Sequence, residues 1–127
     1  MSEIRTAILK RYFQALTDGD TATIVSLFHP EGEVISPFLG VRRADRFFAK
    51  LSEASNGSFL TVLDILHGVD GTTSAARFRY DWTLKDGSDV TFEGVDHYVF
   101  DAEDRILRMT IYYDTHPLRE EVGDKYA

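Results

Sequence analysis

The stretch that decides the fold is SAARFRYDWTLKDGSDVTFEGVDHYVFD, residues 74–101. Apolar and polar side chains alternate in both halves, the pattern of strands with one buried and one exposed face. In the first half, one face carries Phe78, Tyr80, Trp82 and Leu84, and the other carries Arg77, Arg79, Asp81 and Thr83. Lys85-Asp86-Gly87 is typical of a tight turn, so strands 74–85 and 89–101 are predicted to form an antiparallel hairpin.

Strand patterns continue on both sides of this hairpin. A strand over 59–69 precedes it across the Asp70-Gly71 turn, and a strand over 105–114 follows the turn from Asp101 to Asp104. Short connections favour pairing between neighbours, so these four strands are predicted to form an antiparallel meander. A fifth, short strand is predicted at 33–36, before a loop marked by Pro37 and Gly40.

Helical patterns occupy the first half of the chain. Ile4, Ile8 and Tyr12 recur at four-residue spacing, which predicts a helix over 3–17. Gly19 and Asp20 are typical of a helix end and of the cap of a second helix, about 21–28. A third helix is predicted over 42–54. The expected class is α+β: three N-terminal helices packed on a strongly curved, mostly antiparallel sheet, in a single domain over 1–127.

Composition and charge exclude several function classes. The chain has 127 residues, no cysteine and a net charge of −7, so it has no disulfide or thiolate site, and a nucleic-acid partner is not expected. No apolar run reaches the roughly 20 residues of a membrane span. The charged N-terminal pattern does not fit a signal peptide, so a cytoplasmic protein is expected. Histidine spacing predicts neither a metal site nor a cofactor.

Asp96 stands out on the strand 89–101. It shares a face with Val90, Phe92, Tyr98 and Phe100, where it is the single ionisable group. A carboxyl group shielded from water has a raised pKa and can act as a hydrogen-bond donor or a general acid or base near neutral pH. The alternative is an ionised Asp96 at an open end of the sheet, bound to a backbone amide or an arginine. Both interpretations stay open from the pattern alone.

Several segments together resemble a known superfamily. They are RYFQALTDGD at 11–20, Leu27-Phe28, Ser36-Pro37, Phe47-Phe48 after Gly40, and VDHYVF at 95–100. Their order and spacing resemble the nuclear transport factor 2-like superfamily, above all its SnoaL-like and ketosteroid isomerase-like branches. The resemblance covers roughly residues 4–115, leaving a tail at 116–127. It implies a cystatin-like cone with a deep apolar pocket, usually in a homodimer.

This sequence keeps two of four functional residues of the isomerase pattern. Its two oxyanion-hole residues fall on Tyr12 and Asp96, where two donors would stabilise a dienolate. Its general base, an aspartate before a proline, falls on Ser36. Its supporting tyrosine falls on Phe48. Because neither replacement keeps the required group, the resemblance does not imply steroid isomerisation by that mechanism.

The hydrolase and cyclase relatives use a carboxylate on the last strand, whereas the inward positions here are Met109, Ile111 and Tyr113. Arg79-Tyr80-Asp81 resembles the hydrolases' Arg-x-Asp pair. Alternation puts Arg79 and Asp81 on the polar face, so an exposed ion pair is the favoured interpretation, which a register slip of one residue would reverse.

Histidines supply one further candidate base. His97 adjoins Asp96 and therefore points to the opposite face. His67 shares a face with Phe59, Leu63 and Ile65 on the strand 59–69. Scytalone dehydratase-like relatives use pocket histidines, so the resemblance makes His67 a candidate base, with a structural histidine as the alternative. His29 and His116 lie beside prolines in predicted loops.

These observations favour a protein that binds a hydrophobic small molecule and transfers a proton beside a carbonyl, as an isomerase, cyclase or dehydratase. Tyr12 and Asp96 would polarise the carbonyl, with His67 or water as base. A non-catalytic carrier and a protein-interaction scaffold with a filled pocket are the alternatives. The predicted pocket residues are Ser36, Phe48, Trp82, Phe92, Tyr98, Met109, Ile111 and Tyr113.

Overall fold

The computed structural model describes residues 2–115; the predicted tail at 116–127, with His116, lies outside them. The helices are α1 (Ser2–Asp18), α2 (Thr21–Ser26) and α3 (Ala44–Ala54). The strands are β1 (Phe28–Ser36), β2 (Gly40–Arg43), β3 (Ser55–His67), β4 (Thr73–Leu84), β5 (Asp89–Phe100) and β6 (Ile106–Tyr113). They form one sheet in the order β2-β1-β6-β5-β4-β3.

The predicted α+β class is confirmed. The predicted meander is present, because β3, β4, β5 and β6 pair antiparallel with their sequence neighbours. β1 runs parallel to β6, which makes the sheet mixed. The side of the sheet on which the buried core lies is called the inner face here, and the opposite side the outer face. In β4 and β5 the buried residues alternate as predicted.

The prediction was wrong around residues 27–43. β1 begins at Phe28 rather than at residue 33, and β2 occupies positions assigned to a loop and to the start of the third helix. Phe28 pairs with Ile106 and the regular pairing resumes at Glu33, so Pro30 and Gly32 fall in an irregularity where no ladder N–H is required. Because Pro30 and Gly32 are typical of turns, the local pattern did not predict the first part of β1. Pairing with β6 stabilises this strand.

Two β-bulges overturn the predicted alternation in β3 and β6. In β3 the register shifts between Val62 and Asp64, so Leu60 is buried whereas Phe59 and Leu63 are exposed. In β6 the shift opposite Val99 and Phe100 buries Ile106 and exposes Leu107. A bulge adds one residue to one strand and inverts which side chains face the core beyond it. The predicted inward row through Phe59 and Leu63 is thereby corrected.

α1 is anchored at its start by a buried charge that sequence reasoning missed. Arg5 forms an ion pair with Asp104 at 3.2 Å, donates to the Gly71 carbonyl oxygen, and lies 4.7 Å above the Phe100 ring centroid. It thus ties the helix to the β3–β4 and β5–β6 turns, across the inner face. Within residues 2–115, the helices fall short of the length and apolarity needed to cross a membrane.

Candidate ligand-binding site

A small cavity lies between the helices and the inner face of the sheet. Its volume is about 50 Å³. This inner cavity is lined by Tyr12, Phe13, Leu16, Ser36, Phe47, Leu51, Leu60, Phe78, Tyr80, Trp82, Phe92, Asp96, Ile111 and Tyr113. Aromatic rings form most of its wall: Phe92 lies 5.3 Å from Tyr80 and 4.7 Å from Tyr113, centroid to centroid. The site is therefore apolar, with few polar groups to orient a ligand.

Asp96 provides the charge-bearing group of this cavity. Only 2% of the surface of Asp96 is exposed to solvent, and its Oδ2 accepts a hydrogen bond of 2.8 Å from the Tyr98 hydroxyl. Its Oδ1 is buried and has no hydrogen-bond partner among the described residues. Burial raises the pKa of Asp96 from 3.8 to about 7, against a smaller lowering by Tyr98. Asp96 therefore exchanges its proton near neutral pH, with one oxygen free to contact a ligand.

Tyr12 approaches Asp96 from α1. Its ring packs edge-on against Tyr98 and Phe48, at centroid distances of 6.1 Å and 6.0 Å. Burial, and then the nearby Asp96 and Tyr80, raise the pKa of Tyr12 well above its usual 10.0. Its hydroxyl group therefore stays protonated. Within residues 2–115 this hydroxyl has no hydrogen-bond partner, which leaves it available as a donor to a ligand.

A second, larger cavity adjoins the first where α1, α3 and β3 meet. Its volume is about 260 Å³. This outer cavity is lined by Leu16, Thr17, Asp18, Gly19, Thr21, Ile24, Phe48, Leu51, Ser52, Ser55, Asn56, Gly57, Ser58 and Tyr80. Leu16, Leu51 and Tyr80 line both cavities. Sequence reasoning missed the outer cavity, because the cavity forms where residues of several separate elements meet.

Comparison with models of protein families identifies the family to which this chain is related. The model of the SnoaL-like domain matches residues 9–109. The chain belongs to the SnoaL-like family. This places it in the nuclear transport factor 2-like superfamily, as the resemblance predicted. The comparison with curated proteins found no match.

Solved structures agree on the fold of this SnoaL-like protein. The epoxide hydrolase/cyclase-like enzyme SalBIII is 20% identical, with a TM-score of 0.79 over 89% of this chain and 92% of its own. A putative polyketide cyclase from Silicibacter sp. is 19% identical, with a TM-score of 0.79 over 93% and 94%. A nuclear transport factor 2-like protein from Exiguobacterium sp. is 20% identical, with a TM-score of 0.73 over 84% and 98%. At these identities the likeness shows the fold alone.

Most of the predicted site residues of the SnoaL-like protein line the inner cavity. Tyr12, Asp96, Ser36, Trp82, Phe92, Ile111 and Tyr113 do so. Phe48 lines the outer cavity instead. Tyr98 and Met109 are fully buried and lie outside both linings. Tyr98 instead contacts the site through its hydrogen bond to Asp96. This hydrogen bond depends on the side-chain rotamers of both residues, which the sequence pattern does not give.

His67 lies elsewhere, which corrects its assignment as a pocket base. Its Nε2 is 2.8 Å from the Thr6 hydroxyl, and its Nδ1 is 2.7 Å from the Ser74 hydroxyl. Both ring nitrogens are therefore engaged in contacts between α1, β3 and β4. His67 is absent from the lining of the inner cavity. The structural alternative describes this histidine.

The structure of the SnoaL-like protein also shows the surroundings of the Arg79–Asp81 pair and of Ser36. Arg79 and Asp81 form an exposed ion pair at 3.4 Å, on the face opposite Asp96, as the alternation predicted. The Ser36 hydroxyl accepts a hydrogen bond from the Leu39 backbone N–H at 3.2 Å and so shapes the loop after β1. No three His, Asp or Glu side chains converge as metal ligands within residues 2–115.

Proposed function

We propose that this protein binds a small molecule with a carbonyl group and transfers a proton at the carbon beside it. One observation carries this proposal: Asp96 has a pKa of about 7 and a buried Oδ1 without a partner, on the wall of an apolar cavity. Unpaired buried polar atoms are costly and cluster at functional sites. A ligand oxygen at Oδ1 supplies the missing partner.

The chemistry follows from the two donors. Neutral Asp96 and Tyr12 each donate a hydrogen bond to the carbonyl oxygen. When the adjacent carbon loses its proton to water, the electron pair moves onto that oxygen, and the two donors stabilise the resulting enolate. Return of a proton to the same or another carbon completes an exchange or an isomerisation. Among the described residues that line the inner cavity, Asp96 is the sole carboxyl group, so the base in this proposal is a bound water.

The proposal is tested by hydrogen exchange at carbon. Acetophenone is incubated with the protein in D₂O, and loss of its methyl proton signal is followed by nuclear magnetic resonance. We expect exchange above the buffer rate, reduced at least roughly tenfold in Tyr12→Phe because one oxyanion donor is lost. The rate is expected to fall as pH rises through about 7, because Asp96 then loses the proton that it donates. Asp64→Asn, which alters an exposed residue of β3, is the control.

A second candidate is a non-catalytic carrier, favoured by the occupation of the isomerase base position by Ser36, whose hydroxyl serves the loop at Leu39. It predicts binding of acetophenone without exchange. Exchange at the buffer rate, in wild type and both variants, contradicts the proton-transfer proposal; bound ketone under the same conditions then supports the carrier.

We also propose that two copies of this chain pair through the outer face of the sheet. Phe59, Val95 and Tyr112 are exposed there, and Val95 lies directly beside Tyr112 in the ladder. Exposed apolar groups on one face mark association surfaces. We expect a dimer in sedimentation velocity and a shift toward monomer in Val95→Lys. A monomeric wild type at high protein concentration contradicts this proposal.

A further inference from the structure

The two cavities differ greatly in size. Pockets for drug-sized ligands have volumes of roughly 300–1,000 Å³. The inner cavity, at about 50 Å³, accommodates only the end of such a ligand, whereas the outer cavity measures about 260 Å³. A ligand that contacts Asp96 and is larger than one ring must therefore extend beyond the inner cavity.

Hydroxyl groups connect the two cavities. The Ser58 hydroxyl lies 3.0 Å from the hydroxyl of Tyr80, which lines both cavities. The Trp82 indole N–H of the inner cavity donates to the Ser55 hydroxyl of the outer cavity at 2.7 Å. Side chains, among them the shared Leu16, Leu51 and Tyr80, therefore lie where the two cavities meet. A ligand that extends from one cavity to the other passes them.

The outer cavity carries several uncharged polar side chains beside its apolar ones, and its described lining has no positive charge. Thr21, Ser52 and Asn56 line it, and none of them uses its side chain in a hydrogen bond within residues 2–115. Asn56 lies in a β-bulge, where the pairing of β3 with β4 skips from Ser55 to Gly57, and it is exposed. Among the described lining residues, Asp18 carries the one formal charge. Such a cavity fits hydroxyl groups and disfavours carboxylates and phosphates.

We propose that the outer cavity binds an uncharged, hydroxyl-bearing arm of the ligand whose carbonyl or phenolic head enters the inner cavity. This inference rests on the proposed function for the placement of the head. Asn56 and Ser52 supply the hydrogen bonds to the arm. Tyr80 contacts the ligand at the passage between the two cavities. The ligand class is accordingly an uncharged carbonyl or phenolic compound with a hydroxyl-bearing arm.

The test uses three phenols with arms of three carbons: 4-propylphenol, 4-(3-hydroxypropyl)phenol and 3-(4-hydroxyphenyl)propanoate. Dissociation constants are measured at pH 6, where Asp96 is mostly neutral and the propanoate is ionised, from the fluorescence of Trp82, the one tryptophan of the chain. We expect the alcohol to bind about fivefold more tightly than the propyl compound, the usual effect of one neutral hydrogen bond. The carboxylate is expected to bind at least roughly tenfold more weakly than the alcohol, because no cation of the cavity compensates its desolvation.

Variants separate the arm from the head. Asn56→Ala is expected to bring the alcohol within about twofold of the propyl compound, the loss expected of one neutral hydrogen bond, and to leave propylphenol binding unchanged. Thr61→Ala, an exposed position of β3, is the control. Equal binding of the three compounds overturns the outer-cavity proposal and leaves the proposed function standing. Failure of all three to bind overturns both.

Discussion

Replacing Asp96 with asparagine is expected to raise the free energy of unfolding at pH 8 by about 4 kcal/mol, from a pKa difference of about three between the folded and unfolded states. The folded chain holds the Asp96 proton up to a pKa of about 7, whereas the unfolded chain releases it near 3.8. Wild-type stability from this group is complete below about pH 4 and is lost as pH rises to about 7. Asparagine does not titrate and retains an oxygen that accepts the Tyr98 hydrogen bond.

Urea unfolding of wild type and Asp96→Asn from pH 4 to pH 9 measures this difference. The two stability curves are expected to lie close together near pH 4 and to separate progressively up to about pH 7, where the difference becomes constant. Asp64→Asn, an exposed aspartate on β3, is the matched control. Parallel curves for wild type and Asp96→Asn would show that Asp96 has an ordinary pKa. The same variant is expected to lose the exchange activity, so the carboxyl group is retained at a cost in stability.

Replacing Tyr98 with phenylalanine is expected to lower the free energy of unfolding at pH 8 by about 2 kcal/mol, the usual effect of a hydrogen bond to a charged group. The Tyr98 hydroxyl donates a hydrogen bond of 2.8 Å to Asp96 Oδ2, and both residues are buried. At pH 4, where Asp96 is neutral, the same change is expected to cost about 1 kcal/mol. The pKa of Asp96 rises further above its ordinary value, because the ionised form loses its donor.

Tyr98 is a positioning residue in this account, because it acts on the ligand through Asp96. Carboxyl carbon chemical shifts during a pH titration report the pKa of Asp96 in wild type and Tyr98→Phe. In an Asp96→Asn background the pH dependence of the Tyr98→Phe effect is expected to vanish. An equal loss of stability at pH 4 and pH 8 would contradict the assignment and leave Tyr98 as a packing residue only.

Local patterns predicted much of the inner face. Because successive side chains of a strand point to opposite faces, the alternation in β4 and β5 was sufficient to place Tyr80, Trp82 and Asp96 inward and Arg79 outward. The isolation of Asp96 in an apolar row left two interpretations open, and its burial with a raised pKa agrees with the first of them. The four-residue spacing on α1 predicted the helix; of the residues in that row, Tyr12 is buried whereas Ile4 is exposed.

Other features depend on pairing between distant segments. The parallel contact of β1 with β6 joins residues far apart in the chain, and no local signal announces it. The bulges in β3 and β6 arise from register with their neighbours, so alternation alone misplaced Phe59 and Leu63 of β3. His67 lies on the same side of the sheet as the core. Its contacts with Thr6 and Ser74 depend on how α1 packs against β3 and β4, which the local pattern does not reveal.

The sequence by itself determined the α+β class and pointed to the family, because the order of helices and strands and the direction of their side chains are local properties of the chain. The resemblance also made Tyr12 and Asp96 the candidate donors. Only the tertiary structure decided that Tyr98 binds one oxygen of Asp96 and leaves the other unpartnered. The small inner cavity and the larger outer cavity beside it also emerged only there. Volumes and free lone pairs are properties of the space between elements, and that space is set by packing rather than by any one segment.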